Sequence, residues 1–191
     1  EYMLEGQFIK SRDFTHSAQV NFEPAEGLMG ENDDYRANFN VFYELSPQCA
    51  RQYLIMIYMD TLVFNMDRHT KNYGILRDVE SGVVLGLAPN FDNNISLISR
   101  GYPKDIGRTN DRLIALFAEF VHGDHRSKGM LEELRHLPIT EALLAQCMEG
   151  IPLEVDRSYV SAFIRNGTAR LTEALELRQV QTKTDEPTMD Y

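Results

Sequence analysis

The strongest hydrophobic pattern in the chain predicts a buried helix that begins at Pro47. Apolar side chains recur at helical spacing from Tyr53 to Leu62, and they cover enough of the helix surface to predict burial on most sides. Ser46 can cap this helix, and Pro47 suits its first turn because a residue there needs no hydrogen-bond partner for its backbone nitrogen. We therefore expect a central core helix over residues 47–64.

Two short β-prone runs follow this helix and predict a β-hairpin. The runs extend over Tyr73–Leu76 and Val83–Leu87, and the polar turn "RDVESG" joins them. Pro89 comes directly after the second run and ends it, since proline cannot donate a hydrogen bond to a sheet. The chain should therefore leave and return at the same end of the hairpin.

The remaining pattern is mainly helical. The opening thirty residues show no sustained period and predict loop with short extended pieces, whereas the pattern sharpens between Glu31 and Glu44. Four later segments have helical spacing: Asp111–Val121, Met130–Leu134, Thr140–Met148 and Ser158–Leu177. We expect a mainly α domain with one small β-hairpin over residues 1–182, and a polar, flexible tail over residues 183–191.

Composition and charge narrow the class of protein. With 191 residues, 43% of them hydrophobic and 25% charged, the chain fits one soluble globular domain. The formal net charge of −10 argues against direct nucleic-acid binding, which needs a basic face. No apolar run approaches the roughly 20 residues of a membrane span and no secretory signal opens the chain, so we expect a cytoplasmic protein without a membrane partner. Cys49 and Cys147 lie in apolar helical runs and are expected to be buried thiols.

The segment "NMDRHTKNYGIL" directly after the core helix concentrates the candidate chemistry. Asp67 and Asn72 lie five residues apart, and Asp92 follows on the far side of the predicted hairpin. Because two strands of about four or five residues run out and back, these oxygen-bearing side chains should converge at one end of the hairpin. Such ligands suit Mg²⁺, which takes one or two carboxylates and fills its octahedron with water and phosphate oxygens.

Phosphoryl transfer needs the same few groups. One carboxylate accepts the proton of the attacking hydroxyl, while an amide oxygen and a second carboxylate hold the metal ion. The segment and the region after the hairpin supply one of each. The competing interpretation is a solvated loop, because basic residues suit the C-terminal end of a helix and Asn and Gly favour a turn.

Two segments within Asn65–Leu97, "NMDRHTKNYGIL" and "LAPNFDNNISL", resemble the catalytic core of HipA-like serine/threonine protein kinases. In that family an aspartate, a histidine two residues later and a Lys-Asn pair precede a hairpin, and an Ala-Pro or similar dipeptide leads to the metal-binding aspartate. The resemblance implies a protein-kinase-like C-terminal lobe. Such a lobe uses Mg²⁺ and ATP as cofactors and transfers phosphate to a Ser or Thr of a protein substrate.

The resemblance also implies a role for each polar residue of these segments. Asp67 would be the catalytic base, and Asn72 and Asp92 would bind Mg²⁺. Lys71 or Arg68 would provide a counter-charge for the phosphates, and Lys71 would thereby assist catalysis. His69 would hold the nucleotide-binding loop through a hydrogen bond of its ring.

A kinase also needs a Gly-rich loop and a strand lysine before its catalytic loop. Neither "GxGxxG" nor a "VAIK"-like strand occurs in the 66 residues before Asp67, and Lys10 in "FIKSRDF" is the only lysine there. We therefore expect a C-terminal lobe whose N-lobe is absent or not included. Activity would then depend on an N-lobe or on a regulatory partner.

Two other functions stay open on the sequence. Phosphoinositide kinases also carry an Asp-Arg-His-x-x-Asn string, but their metal-binding aspartate sits in a DFG-type setting, whereas Asn93 and Asn94 follow Asp92. That difference favours the HipA-like interpretation over a lipid kinase. The acidic composition and the missing N-lobe motifs also suit a catalytically silent, kinase-like scaffold for a partner protein.

Two further polar groups have simpler interpretations. His122, Asp124 and His125 lack the helical spacing of a metal site, so they predict a polar connection between helices. Basic residues flank the Gly/Pro loop over residues 99–110, in the place of a kinase activation segment, where they would receive an anionic peptide or a phosphorylated residue, or form an ordinary solvated surface. These basic residues are Arg100, Lys104, Arg108 and Arg112.

Overall fold

The computed structural model describes residues 2–5, 8–11, 13–16, 18–93, 96, 109–134, 139–149 and 156–184. The chain forms two compact units, each built from two stretches of sequence. The first unit contains Glu1–Tyr53 and Arg68–Asn93, and the second contains Leu54–Asp67 and Asn94–Tyr191. No helix in the described part of the chain is long and apolar enough to cross a membrane.

The first unit contains two antiparallel sheets. In chain order its strands are β1 (Tyr2–Glu5), β2 (Phe8–Ser11), β3 (Val20–Pro24), β4 (Gly74–Asp78) and β5 (Val84–Leu87). β1 pairs with β2, and the other three strands form one sheet in the order β3-β4-β5. The predicted hairpin is confirmed as β4 and β5, in which Ile75 pairs with Leu87. Asp78 closes the turn, since its Oδ1 accepts hydrogen bonds from the backbone nitrogen and the hydroxyl of Ser81.

The opening region holds more regular structure than we predicted. β3 lies at the edge of the three-stranded sheet, ends at Pro24 and is only partly buried, so it lacks the strict alternation of a half-buried strand. Its pairing with β4 depends on Gly74, because a Cβ there would lie 2.2 Å from the carbonyl oxygen of Glu23. A third strand therefore flanks the hairpin, in a region where we expected mostly loop with short extended pieces.

Helices complete the first unit. α1 (Ala25–Met29) follows β3 directly, and α2 (Tyr35–Leu45) begins after Asp34, whose carboxylate accepts hydrogen bonds from the backbone of the first turn. α3 (Pro47–Leu62) confirms the predicted core helix, and its first two turns belong to this unit.

The core of the first unit is aromatic. Phe39 and Phe42 on α2 are fully buried. The ring of Phe42 packs against Tyr53 and Tyr73 with centroids 5.1 Å and 6.0 Å away. Tyr73 precedes β4, so these contacts join the candidate loop to the core.

The second unit is helical in its described part. After the end of α3 come α4 (Asp111–Gly123), α5 (His125–Leu134), α6 (Glu141–Cys147) and α7 (Arg157–Thr184). All four predicted C-terminal helices are confirmed. α5 begins earlier than predicted because Asp124 caps it, accepting hydrogen bonds from the backbone nitrogens of Arg126 and Ser127.

A buried amide holds the end of α3 to the other helices of the second unit. Asn110 is fully buried, and its Nδ2 donates to the carbonyl of Thr61 over 2.7 Å. Its Oδ1 accepts a hydrogen bond from Arg170 on α7. α7 comes close to this amide at Gly167, where a Cβ would lie 2.9 Å from the Asn110 nitrogen. The turn of α3 that leads into the candidate loop is thereby fixed.

The prediction that both cysteines are buried is wrong for one of them. Cys49 is buried as predicted, whereas Cys147 is exposed. α6 has only seven residues and buries Leu144 alone, so the apolar run that contains Cys147 does not form a covered face. No disulfide joins the two thiols.

The structure describes every residue of the first further polar group but only Arg112 of the second. His122, Asp124 and His125 form the predicted connection between α4 and α5, and no three His, Cys, Asp or Glu side chains among the described residues could hold a metal ion together. Arg112 is exposed on α4. The other basic residues of the predicted activation-segment loop, and residues 185–191 of the predicted tail, lie outside the described residues.

Candidate functional site

The loop after α3 begins with a left-handed residue. Phe64 has φ of 56°, and Asn65 then donates its backbone N–H to the carbonyl of Asp60 over 2.9 Å. Such a backbone costs a residue with a Cβ about 1–2 kcal/mol, whereas burying a phenylalanine side chain contributes about 1.5–3 kcal/mol. The Phe64 ring is buried in a cluster with Leu113 and Phe163, so its burial offsets the strain.

A buried carboxylate and amide position the backbone of Asp67. Asn65 is 2% exposed, and its Nδ2 donates to the carboxylate of Asp60, itself 3% exposed, over 3.0 Å. The Oδ1 of Asn65 accepts a hydrogen bond from the backbone N–H of Asp67. Asp67 is half-buried and is the last residue of its stretch in the second unit. Its backbone is thus anchored to the last turn of α3.

In the first unit, the residues after Asp67 form a tight turn. The backbone N–H of Asn72 donates to the carbonyl of His69 over 2.8 Å. The carbonyl of Thr70 accepts from Glu26, and that of Tyr73 accepts from Ala25, so both ends of the turn are tied to the start of α1. The turn leaves Asn72 only 5% exposed.

His69 and Lys71, which lie inside this turn, both make local contacts. The Nδ1 of His69 accepts a hydrogen bond from the backbone N–H of Lys71, which is the kind of loop-holding contact that the sequence predicts for this ring. The Nζ of Lys71 lies 3.1 Å from Glu26 and 3.2 Å from Glu31. The hydrogen bonds that Lys71 donates to these two carboxylates raise the pKa of its exposed amine. Exposed pairs of this kind contribute little stability, so Lys71 can exchange them for another anion.

A cavity of about 480 Å³ lies beside the turn. The segment before α2 and the candidate loop both line this cavity. The lining residues are Glu31, Asn32, Asp33, His69, Thr70 and Lys71. This volume falls in the range of small-molecule sites, which is about 300–1,000 Å³.

Arg68 connects the candidate loop to the chain that follows the hairpin. Its Nη1 donates to the carbonyl of Asn72 over 3.0 Å and to the carbonyl of Phe91 over 2.6 Å. Its Nη2 donates to the side chain of Asn93, also over 2.6 Å. One guanidinium therefore binds the residue that carries the candidate amide ligand and both neighbours of Asp92.

Asp92 is held in an unusual backbone conformation. Its φ is 54°, and its side chain is half-buried. The hairpin returns the chain as predicted, since Ala88 donates its backbone N–H to the carbonyl of Gly74. Beyond Ala88, the ring of Phe91 packs against Phe14 and Phe22 with centroids 6.0 Å and 5.6 Å away. The segment around Asp92 is thus anchored although it belongs to neither strand of the hairpin.

Sequence reasoning missed a buried tyrosine network behind Asn72. The Nδ2 of Asn38 donates to the hydroxyl of Tyr73 over 3.1 Å and to the carbonyl of Asn32 over 2.8 Å. Burial raises the pKa of Tyr73 to about 12 and that of Tyr53 well above its usual value, so both phenols stay neutral. An asparagine among the apolar positions of α2 is a sequence signal for a buried polar contact, but it does not identify the partner.

In the first unit, the backbone of Asn72 lies close to that of Phe91, the residue that precedes Asp92. Two carbonyls bind the same guanidinium nitrogen, so the backbones of Asn72 and Phe91 are within two hydrogen-bond lengths. An amide oxygen and a carboxylate are the hard ligands that Mg²⁺ accepts, with phosphate and water oxygens completing its shell. The donor set therefore fits the ion. Asp67 belongs to the second unit.

Comparisons with known proteins give a fold and no family. No protein-family model matches the sequence, and no curated protein matches it significantly. Among solved structures, the chain is similar to the crystal structure of a Helicobacter pylori proinflammatory kinase, CtkA. The TM-score is 0.56 and the identity 14%, and the alignment covers 90% of this chain and 75% of that one. The likeness indicates a kinase-like fold and does not single out the HipA-like kinases.

Proposed function

We propose that the chain is the catalytic lobe of a Mg²⁺- and ATP-dependent phosphotransferase, a HipA-like kinase that phosphorylates Ser or Thr of a protein. One observation carries the proposal most directly. The Arg68 guanidinium binds the Asn72 carbonyl together with both neighbours of Asp92, in a chain with a kinase-like fold. These bonds would keep the proposed amide ligand and the proposed carboxylate ligand at one end of the hairpin.

Each proposed role follows from the chemistry of the side chain. The amide oxygen of Asn72 and the carboxylate of Asp92 would hold Mg²⁺, which neutralises phosphate charge when it is bound. Asp67 would accept the proton of the attacking hydroxyl, and the bond from Asn65 to its backbone would limit its movement. Lys71 would leave Glu26 and Glu31 to pair with a phosphate oxygen.

The proposal includes a partner segment. No "GxGxxG" stretch or "VAIK"-like strand precedes Asp67 in this sequence, so the cover over the phosphates would come from an N-lobe or a regulatory partner. Full turnover would then require that partner.

Phosphate transfer tests the assignment. The wild-type chain, Asp67→Ala and Asp92→Asn are incubated with γ-labelled ATP, Mg²⁺ and a protein rich in Ser and Thr. We expect Asp67→Ala to abolish transfer, because no other group would take the hydroxyl proton, and Asp92→Asn to raise the Mg²⁺ concentration needed for half-maximal transfer. Asp156→Asn is the matched control, since Asp156 caps α7 and asparagine caps equally well. Measurable transfer that is equal in the wild type and both site variants would rule out the assigned roles.

A second candidate is a catalytically silent scaffold with a kinase-like fold. The contacts of Lys71 favour it, because two glutamates already neutralise the amine that would face a phosphate. A wild-type chain that binds a partner protein but neither binds Mg-ATP nor transfers phosphate would support the scaffold.

A further inference from the structure

We propose that Arg68 is a positioning residue that holds Asp92 ready for metal binding. This inference rests on the proposed function and deepens it. The resemblance to HipA-like kinases implies that Lys71 or Arg68 is a phosphate counter-charge, and the contacts of the Arg68 side chain lead to a different role.

The Arg68 guanidinium donates hydrogen bonds to three separate residues. Nη1 carries two N–H groups, and two carbonyl oxygens 19 residues apart in sequence, those of Asn72 and Phe91, accept from it. Nη2 donates to the side-chain oxygen of Asn93. A planar fork of donors suits this pattern, whereas the ammonium of a lysine is a single point charge on a flexible stem.

The guanidinium binds the residues on both sides of Asp92. Asp92 lies between two residues that Arg68 binds, and its backbone is left-handed at φ 54°. Aspartate tolerates that conformation better than most residues, yet it persists only where the surroundings impose it. The carbonyl of Phe91 and the amide of Asn93 are the fixed points on either side. Loss of Arg68 would therefore let the Asp92 carboxylate leave its position.

Arg68 also connects the two candidate metal ligands, Asn72 and Asp92. Because the same nitrogen binds the carbonyl of Asn72, Arg68 fixes Asp92 relative to the other candidate ligand. Groups that orient metal ligands without touching the ion typically affect metal affinity by about 10- to 100-fold. Arg68 would thus act through Asp92 and Asn72, and we expect its loss to weaken binding of Mg-ATP more than binding of free ATP.

The experiment compares Arg68→Ala and Arg68→Lys with a matched control, Arg77→Ala. Arg77 belongs to the same unit and is similarly engaged, with Glu23 and with the carbonyl of Gly82, but it contacts neither candidate ligand segment. Two readouts are taken on the intact chain. The first is amide hydrogen exchange of residues 90–93 without ligand, and the second is calorimetric titration of ATP with and without Mg²⁺.

The positioning role of Arg68 predicts that both site variants change the two readouts in the same direction. Residues 90–93 exchange faster in Arg68→Ala and Arg68→Lys, and affinity for Mg-ATP falls by about 10- to 100-fold while affinity for metal-free ATP changes little. Arg77→Ala leaves both readouts at the wild-type value. Should Arg68→Ala unfold, Arg68→Lys keeps the charge and decides the question.

Three results would overturn the inference. The first is wild-type exchange over residues 90–93 in both site variants. The second is a lysine variant that binds Mg-ATP like the wild type, since charge alone would then suffice. The third is an equal loss of affinity for ATP with and without Mg²⁺, which is the behaviour of a phosphate counter-charge. If the wild type shows no Mg²⁺-dependent binding, the proposed function fails, and the exchange data alone decide whether Arg68 positions the segment.

Discussion

At the scale of single residues, two left-handed side-chain-bearing residues flank the candidate segments. Phe64 opens the loop after α3, and Asp92 ends the chain that returns from the hairpin. Each conformation costs about 1–2 kcal/mol, so each needs contacts that maintain it. For Phe64 the contact is a buried ring, and for Asp92 it is the pair of neighbours that Arg68 binds.

Phe64 allows strain and burial to be separated. Replacement by Ala or by Gly removes the ring from Leu113 and Phe163, which is expected to cost about 3–5 kcal/mol. Because glycine adopts positive φ without strain, we expect Phe64→Gly to be more stable than Phe64→Ala by about 1 kcal/mol. Urea denaturation followed by circular dichroism measures both free energies of unfolding. A glycine variant no more stable than the alanine variant would show that the loop does not need this conformation.

At the scale of elements, the three-stranded sheet determines where the chain returns after the hairpin. β3 and β4 approach each other so closely at Gly74 that no Cβ fits there. The same register sets the position of Ala88 and of the segment that follows it. The sheet therefore sets where the segment that leads to Asp92 begins.

Gly74→Ala tests this register. The added methyl would meet the carbonyl of Glu23 at 2.2 Å, and backbone cannot move aside as a flexible side chain does. We expect a loss of about 1–3 kcal/mol or more in the free energy of unfolding, measured in urea. Gly27→Ala on α1 is the control, because open space surrounds that position and alanine favours a helix. Equal stability of the two variants would contradict the close approach.

The parts of the fold that sequence predicted are those with a clear local period. α3 and the hairpin of β4 and β5 carry their own signals in the spacing of apolar residues. β3 was missed because an edge strand that ends in Pro24 has no such spacing. The polar residues of the candidate site could be proposed from the sequence, because the chemistry of a carboxylate or an amide follows from its residue type. The bonds of Arg68 and of Asn38 could not be found, because each joins segments far apart in sequence.

At the scale of the whole molecule, the chain has a kinase-like fold and carries a small set of candidate oxygen donors. The candidate metal ligands Asn72 and Asp92 belong to the first unit, and the candidate base Asp67 belongs to the second. Each unit has its own core and its own buried polar anchor, Asn38 in one and Asn110 in the other. Both cores thus support segments that carry candidate chemistry.

Metal-dependent nucleotide binding tests the central claim most directly. ATP is titrated calorimetrically into the wild type, Asp92→Asn and the control Asp156→Asn, first with Mg²⁺ and then after its removal by a chelator. We predict that Mg²⁺ strengthens ATP binding in the wild type and the control, and that Asp92→Asn weakens this dependence because a neutral amide replaces the charged carboxylate ligand. Absence of any Mg²⁺-dependent ATP binding in the wild type would contradict the account.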